Sequence, residues 1–155
     1  MQVHSLEFND SYEDVFSLIG IHTTLEDYKL AYLLNKNLCI NFKKSKEDLN
    51  FKKNEKLSFS IFTYHDKEYD FEWFLVANSS KRENQTESNE LLLTTETKSY
   101  LIPEKKKVDF FIKISGELQY NFISKTVDAV NKIDQIITSY PIDKNTLKSK
   151  DFLIF

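Results

Sequence analysis

Residues 15–23 alternate Phe16, Leu18, Gly20 and His22 on one side with Ser17, Ile19, Ile21 and Thr23 on the other. Both sides are largely apolar. That pattern belongs to a central strand, since a strand with one face in water alternates apolar with polar. It makes a sheet the organising element of the fold.

Downstream the chain supplies neighbours for that strand. Only two glycines and two prolines punctuate the sequence, so boundaries are read from periodicity. Thr23 followed by Glu26, and Thr24 followed by Asp27, resemble capping boxes that start a helix. The helix is predicted to run to about Lys36, with Leu25, Tyr28, Tyr32 and the Leu30, Leu33, Leu34 group giving a broad apolar side. Residues 38–42 read as a short strand or an extended connector. Residues 57–64 and 69–77 alternate as two strands, joined through the polar turn His65, Asp66, Lys67, Glu68. Residues 78–97 are expected to be a mobile loop, polar at least to Glu90. Residues 100–102 read as a brief strand stopped by Pro103. Residues 108–114 are a strand with Val108, Phe110, Ile112 and Ile114 on one face, ended at Gly116. A second helix is expected over 118–132 and a last strand over 135–140, closed by Pro141. Asp143 is placed to cap a single turn at 145–148.

The resulting order is strand, helix, two hairpin strands, strand, helix, strand. It predicts an α+β fold: a mainly antiparallel sheet of about five to six strands, with two main helices packed on one face. A ferredoxin-like or related α/β sandwich fits that order. At 155 residues the chain is expected to form one domain over 1–155. Thirteen Phe and eight Tyr predict an aromatic-rich core.

Composition narrows the function classes. Net charge is −3, which argues against nonspecific nucleic-acid binding. The single cysteine, Cys39, permits no intramolecular disulfide. Residues 1–8 lack a basic stretch followed by an apolar run and do not read as a signal peptide, and no run of about 20 apolar residues exists. A cytoplasmic location is expected, with no membrane partner. Phosphate cradles need glycines where backbone approaches ligand, zinc sites need clustered Cys and His, and α/β-hydrolase sites need a G-x-S-x-G elbow. None of these patterns occurs. No catalytic residue, metal site or cofactor is assigned.

The segment Leu101-Ile102-Pro103-Glu104-Lys105-Lys106-Lys107-Val108-Asp109-Phe110 resembles the signature of an uncharacterised bacterial family named for its motif, IPExxxVDY. The stretches 18–22, 25–28, 30–35, 45–49 and 145–151 support the resemblance along most of the chain. Phe110 stands where the motif has Tyr. The resemblance implies a single cytoplasmic domain and carries over no catalytic residue.

Physically, Pro103 fixes φ and pushes Ile102 toward extended backbone. The segment has two readings. In one it is a loop-to-strand corner where Glu104 or Asp109 bonds backbone amides or a lysine. In the other it is a ligand or partner site including Glu104, Asp109, Lys105, Lys106 and Lys107. His22 also has two readings. It is a hydrogen-bonded structural histidine, or, at a strand end beside a helix start, a general base or an anion ligand with Thr23 and Thr24. Asp66, Glu68, Asp70 and Glu72 recur at every second position; a solvated edge explains them better than a hard-cation site, because a turn interrupts them. From Lys43 to Lys56 six lysines face three acids. Joined with Lys105, Lys106 and Lys107, they would make a basic face for RNA. The apolar tail 152–155 plugs the protein's own core or adds to a partner's sheet edge.

Three functions follow. The first is a non-catalytic domain that binds another protein through a sheet edge or the tail. The others are an RNA-associated accessory protein using the two lysine clusters, and a small-molecule sensor or enzyme with a pocket near His22.

Overall fold

The computed structural model describes residues 15–50, 57–83 and 96–155. Residues 1–8 of the leader argument, Lys52, Lys53 and Lys56 of the first basic cluster, and positions 84–95 of the expected loop lie outside the described residues.

Six strands form one antiparallel sheet: β1 (Phe16–Thr23), β2 (Lys43–Lys44), β5 (Ile61–Asp66), β6 (Phe71–Ala77), β9 (Phe110–Ser115) and β10 (Ile136–Ile142). Their order is β10-β1-β9-β6-β5-β2, so β1 is interior, as its two apolar faces require. Helix α1 (Asp27–Leu38) follows β1, and α2 (Tyr120–Asn131) links β9 to β10. Strands β9 and β10 both run antiparallel to β1, which lies between them. They are therefore parallel to each other, and β9-α2-β10 is a split βαβ unit. Two small ribbons complete the strands: β3 (Leu49–Asn50) with β4 (Ser58–Phe59), and β7 (Ser79–Glu83) with β8 (Glu96–Tyr100).

Alternation assigns the two faces of the sheet. Ile19 and Ile21 of β1, Trp73 and Leu75 of β6, and Phe110, Ile112 and Ile114 of β9 point toward both helices. There they bury Leu30, Ala31 and Leu34 of α1 with Ile123, Val127 and Val130 of α2. Each such side chain contributes about 1.5–3 kcal/mol when fully buried. The helices thus share one face, as expected.

The opposite face carries Phe16, Leu18, Val76 and Phe111. Among the described residues no helix of comparable length covers it. The cover is irregular backbone that delivers Ile102, Val108, Leu147 and Leu153, all buried. Val108 therefore belongs to this second core, on the face opposite to Phe110, Ile112 and Ile114, and β9 begins at Phe110. Gly20 makes room for this cover. A β-carbon there would sit 2.8 Å from the Ile142 side chain and 3.4 Å from Val108.

Several local expectations need correction. The Thr23–Glu26 capping box does not form: Glu26 is the N-cap and its side chain makes no capping bond. Thr23 ends β1 instead, its hydroxyl donating to the Gln135 carbonyl at 2.8 Å and accepting from Leu25 N–H at 3.2 Å. The long-range partner outcompetes the local one. β5 continues to Asp66, which shifts the turn to 67–70, with Asp70 left-handed at φ 56°. The expected loop 78–97 contains β7 and β8, and the brief strand at 100–102 is replaced by β8 ending at Tyr100. β10 runs through Pro141 to Ile142. That is allowed because β10 is an edge strand and Pro141 has no ladder donor to lose on its outer side.

Each helix is followed by an asparagine clasp. Asn35 of α1 accepts from Phe42 N–H and donates to Phe42 C=O, just before edge strand β2. Asn131 of α2 does the same to Ser139 of edge strand β10, at 2.7 and 3.1 Å.

The tail packs on its own sheet. Leu153 is buried in the second core, and the Phe155 ring meets Phe74 edge-on at 5.3 Å. Lys113, 3% exposed, places its ammonium over the rings of Phe155, Phe16 and Phe74 at 4.3, 5.0 and 5.3 Å. A buried ammonium is tolerated there because ring faces and the Phe155 carbonyl, 3.4 Å away, replace water.

Candidate binding site

His22 sits near the end of β1, half-buried. Thr138 is its register partner on β10, so Tyr140 is its diagonal neighbour on the same face. The Tyr140 hydroxyl and His22 Nε2 are 2.9 Å apart.

The IPE segment folds over this pair. Leu101 and Ile102 insert into the second core, Pro103 opens a 3-10 turn at Pro103–Lys105, and Val108 is buried again. Burying both ends while the middle is polar forces Lys105, Lys106 and Lys107 outward. The turn is fastened by Asn78, which is fully buried. Its side-chain amide donates to the carbonyls of Lys105 and Val108 and accepts from Ile102 N–H, all at 2.8 Å. Its backbone bonds Asp109 and Leu101 as well.

Both motif carboxylates are spent on backbone. Asp109 accepts from Thr23 N–H at 2.9 Å, tying β9 to the β1–α1 junction. Glu104 accepts from Ser149 N–H at 2.7 Å and from the Ser149 hydroxyl at 2.9 Å. Partial burial works to raise the Glu104 pKa, but the bonds from Ser149 and from the amides of Glu104 and Lys148 outweigh it and hold it below the ordinary glutamate value.

Between the segment and β1–β10 lies an open groove of about 400 Å³, lined by His22, Tyr140, Glu104, Lys105, Lys106 and Lys107, with Pro103 and Val108 as apolar wall. Of the six site residues expected from sequence, His22, Glu104 and the three lysines line this groove, and Asp109 braces it from behind. Thr23 does not serve an anion beside His22, because it is buried and its hydroxyl is engaged. Tyr140, Asn78 and Ser149 are the participants that sequence reasoning missed. Each acts through a partner 24 or more positions away, and no local pattern marks such a pairing.

The chemistry available is that of donors and positive charge. His22 bonds the tyrosine Tyr140 through its Nε2. Among the described residues no group of three or more His, Cys, Asp or Glu is placed to hold a metal ion, and no helix is long and apolar enough to cross a membrane. Asp66 is used by its own turn, accepting from Glu68 and Tyr69 N–H.

The described part of the first basic cluster lies elsewhere. Lys43 and Lys44 form edge strand β2, whereas the groove adjoins β10 at the other edge. Lys44 is bonded to Asp48 and Ser60, both at 2.7 Å. A second open hollow of about 600 Å³, lined by Lys43, Tyr64 and His65 among others, lies at that far edge and does not join the groove.

No protein-family model matches the chain, and no curated protein or solved structure matches it either.

Proposed function

We propose that this is a non-catalytic, cytoplasmic protein-binding domain whose contact surface is the basic corner formed by the IPE turn, His22 and Tyr140. One observation carries the reading. Glu104 and Asp109, the acids that flank the three lysines in sequence, are committed to the backbone amides of Ser149 and Thr23, so neither occupies the lysine donors in an ion pair. Asn78 holds the turn rigidly from beneath, which lowers the ordering cost of binding.

The same geometry weakens the other routes. A partner strand added to β10 would meet Ser139 already clasped by Asn131 and a proline without a donor. The tail is engaged on its own sheet through Leu153 and Phe155. An RNA face joining Lys43 and Lys44 to the three motif lysines is disfavoured, since that pair forms the sheet edge opposite to β10. The IPExxxVDY resemblance fits this proposal, since the motif is the element that builds the corner.

The test is site-specific photocrosslinking in native cells, with the crosslinker at position 106 or, as control, at position 29 on α1. A protein adduct is expected from position 106 that disappears in Lys105→Glu/Lys107→Glu. Adducts of equal yield from both positions, or none from 106, would refute the proposal.

A further inference from the structure

We infer that the groove beside His22 takes a phosphate monoester carried on a side chain of the partner protein. This rests on the binding-domain reading above and adds the chemistry the groove selects.

Charge is the first argument. Three consecutive lysines line one small groove in a protein whose net charge is −3. Among the described residues Lys105 and Lys107 make no ion pair, and Lys106 lies over the Tyr100 ring at 5.8 Å, a contact that leaves its donors free to turn. The one carboxylate in the lining, Glu104, is turned to Ser149. A phosphate monoester carries about −1.5 to −2 charges and three strong acceptor oxygens. With the ionised Glu104 set against the three lysines the lining carries two positive charges, which a phosphate monoester matches and a side-chain carboxylate only half matches.

Donor geometry is the second. Arginine grips carboxylate and phosphate alike with its two-pronged guanidinium, whereas lysine binds phosphate as a point charge. No arginine lines the groove. Ammonium groups are point charges with three donors each, and they can surround a tetrahedral oxyanion from several sides. His22 and Tyr140 complete the set. When His22 Nε2–H donates to the Tyr140 oxygen, the tyrosine hydroxyl is left to donate into the groove.

Room is the third. About 400 Å³ exceeds what one phosphate fills and lies in the range of ligand sites. Pro103 and Val108 offer apolar wall to the residues flanking the phosphorylated one.

The experiment uses the full chain, labelled with ¹⁵N. Amide spectra are followed while adding a short neutral peptide with a central phosphoserine, the same peptide with serine or glutamate, or a single-stranded RNA of mixed sequence. Saturable shifts are expected at His22, Val108 and Tyr140 with the phosphopeptide. Affinity should fall at least tenfold for the glutamate peptide and be absent for serine. Lys105→Ala/Lys107→Ala should weaken phosphopeptide binding at least tenfold with an unchanged melting temperature, whereas Lys29→Ala should not. Equal binding of glutamate and phosphoserine, shifts spread over unrelated lysines, tighter binding of RNA, or no shift would each overturn the inference. Its failure is separable from that of the reading beneath it. A crosslinked partner at position 106 without phosphopeptide binding removes only the inference. Phosphopeptide binding without a crosslinked protein leaves the anion site standing and removes the protein partner.

Discussion

Glu104 and Ser149 lie 45 positions apart, and the carboxylate of the first accepts from both the backbone N–H and the hydroxyl of the second. This contact fastens the IPE turn to the C-terminal segment that carries Leu147 and Leu153 into the second core. Its charge is testable. Because the folded-state pKa of Glu104 lies below its ordinary value of 4.5, its contribution is fully present above that value and is lost as pH falls through the lower, folded value. Glu104→Gln should cost about 1 kcal/mol at neutral pH, discounted for its exposure. Urea midpoints of wild type and variant should differ at pH 7 and converge toward pH 3. A difference unchanged at pH 3 would show that the ionised form is not what matters.

Asn78 is a more demanding test, because two of the three groups it bonds are satisfied by its side chain alone. Asn78→Ala would orphan Ile102 N–H and the Val108 carbonyl, while the Lys105 carbonyl keeps its bond from Val108 N–H. Unsatisfied buried groups cost about 1–3 kcal/mol apiece, so a total loss of about 2 kcal/mol or more is expected. For a chain of this size that lowers Tm by roughly 4–8 °C. Asn78→Asp should be at least as damaging, since an ionised carboxylate would face two carbonyl oxygens. Thermal unfolding followed by circular dichroism checks both; a loss under about 1 kcal/mol would mean the turn holds without its clamp.

Why some of this was legible and some was not follows from how each part is held. The faces of β1, β6 and β9 obey a two-residue period, so Ile19 and Ile21, Trp73 and Leu75, or Ile112 and Ile114 could be assigned to shared faces from the sequence. The cover on the opposite face has no period. Ile102, Val108, Leu147 and Leu153 are isolated apolar residues in irregular backbone, and their burial is decided by distant partners. Polarity at 78–90 reads as loop, yet Asn78 is polar because it must satisfy three buried backbone groups. In the site, His22 was suggested by its strand end, the lysines by charge, and Glu104 and Asp109 by their motif. Their convergence depends on the Asp109–Thr23 bond across 86 positions, which no window of sequence contains.

Trp73 separates the worth of a ring from that of its polar edge. It is 4% exposed, surrounded by Phe42, Tyr64 and Phe122 at 6.0–6.4 Å, and among the described residues its indole N–H has no hydrogen-bond partner. Trp73→Ala should cost about 3–5 kcal/mol through the cavity it leaves. Trp73→Phe removes the unpartnered donor, recovering about 1–3 kcal/mol against its own smaller cavity, so its net cost should stay below about 1.5 kcal/mol. Equilibrium unfolding in urea measures both. A phenylalanine variant as damaged as the alanine one would show that the indole N–H contributes an attraction, such as a contact with a ring face.

The outer rim of β10 is blocked by two unrelated means, and removing both should change how the protein associates. Ser139 N–H bonds the Asn131 side chain, so the backbone groups of Ser139 point away from β1. By the two-residue period those of Pro141 do too, whereas Ile137 sits in the register shift opposite His22 and Thr23. Asn131 covers Ser139, and Pro141 has no N–H to offer. Ile137 remains, 70% exposed, on an edge too interrupted to template a second strand. Asn131→Ala frees the groups of Ser139, and Pro141→Val restores a donor aimed outward. Pro141→Val should cost little, whereas Asn131→Ala strips the partner from Ser139, which is 4% exposed, and should cost about 1–3 kcal/mol. The double variant should form concentration-dependent dimers or larger species by size-exclusion chromatography with light scattering, beyond any association of wild type at the same concentration. Each single variant should do so less. Identical elution of double variant and wild type across the range would mean that the edge is silent for some reason other than the clasp and the proline.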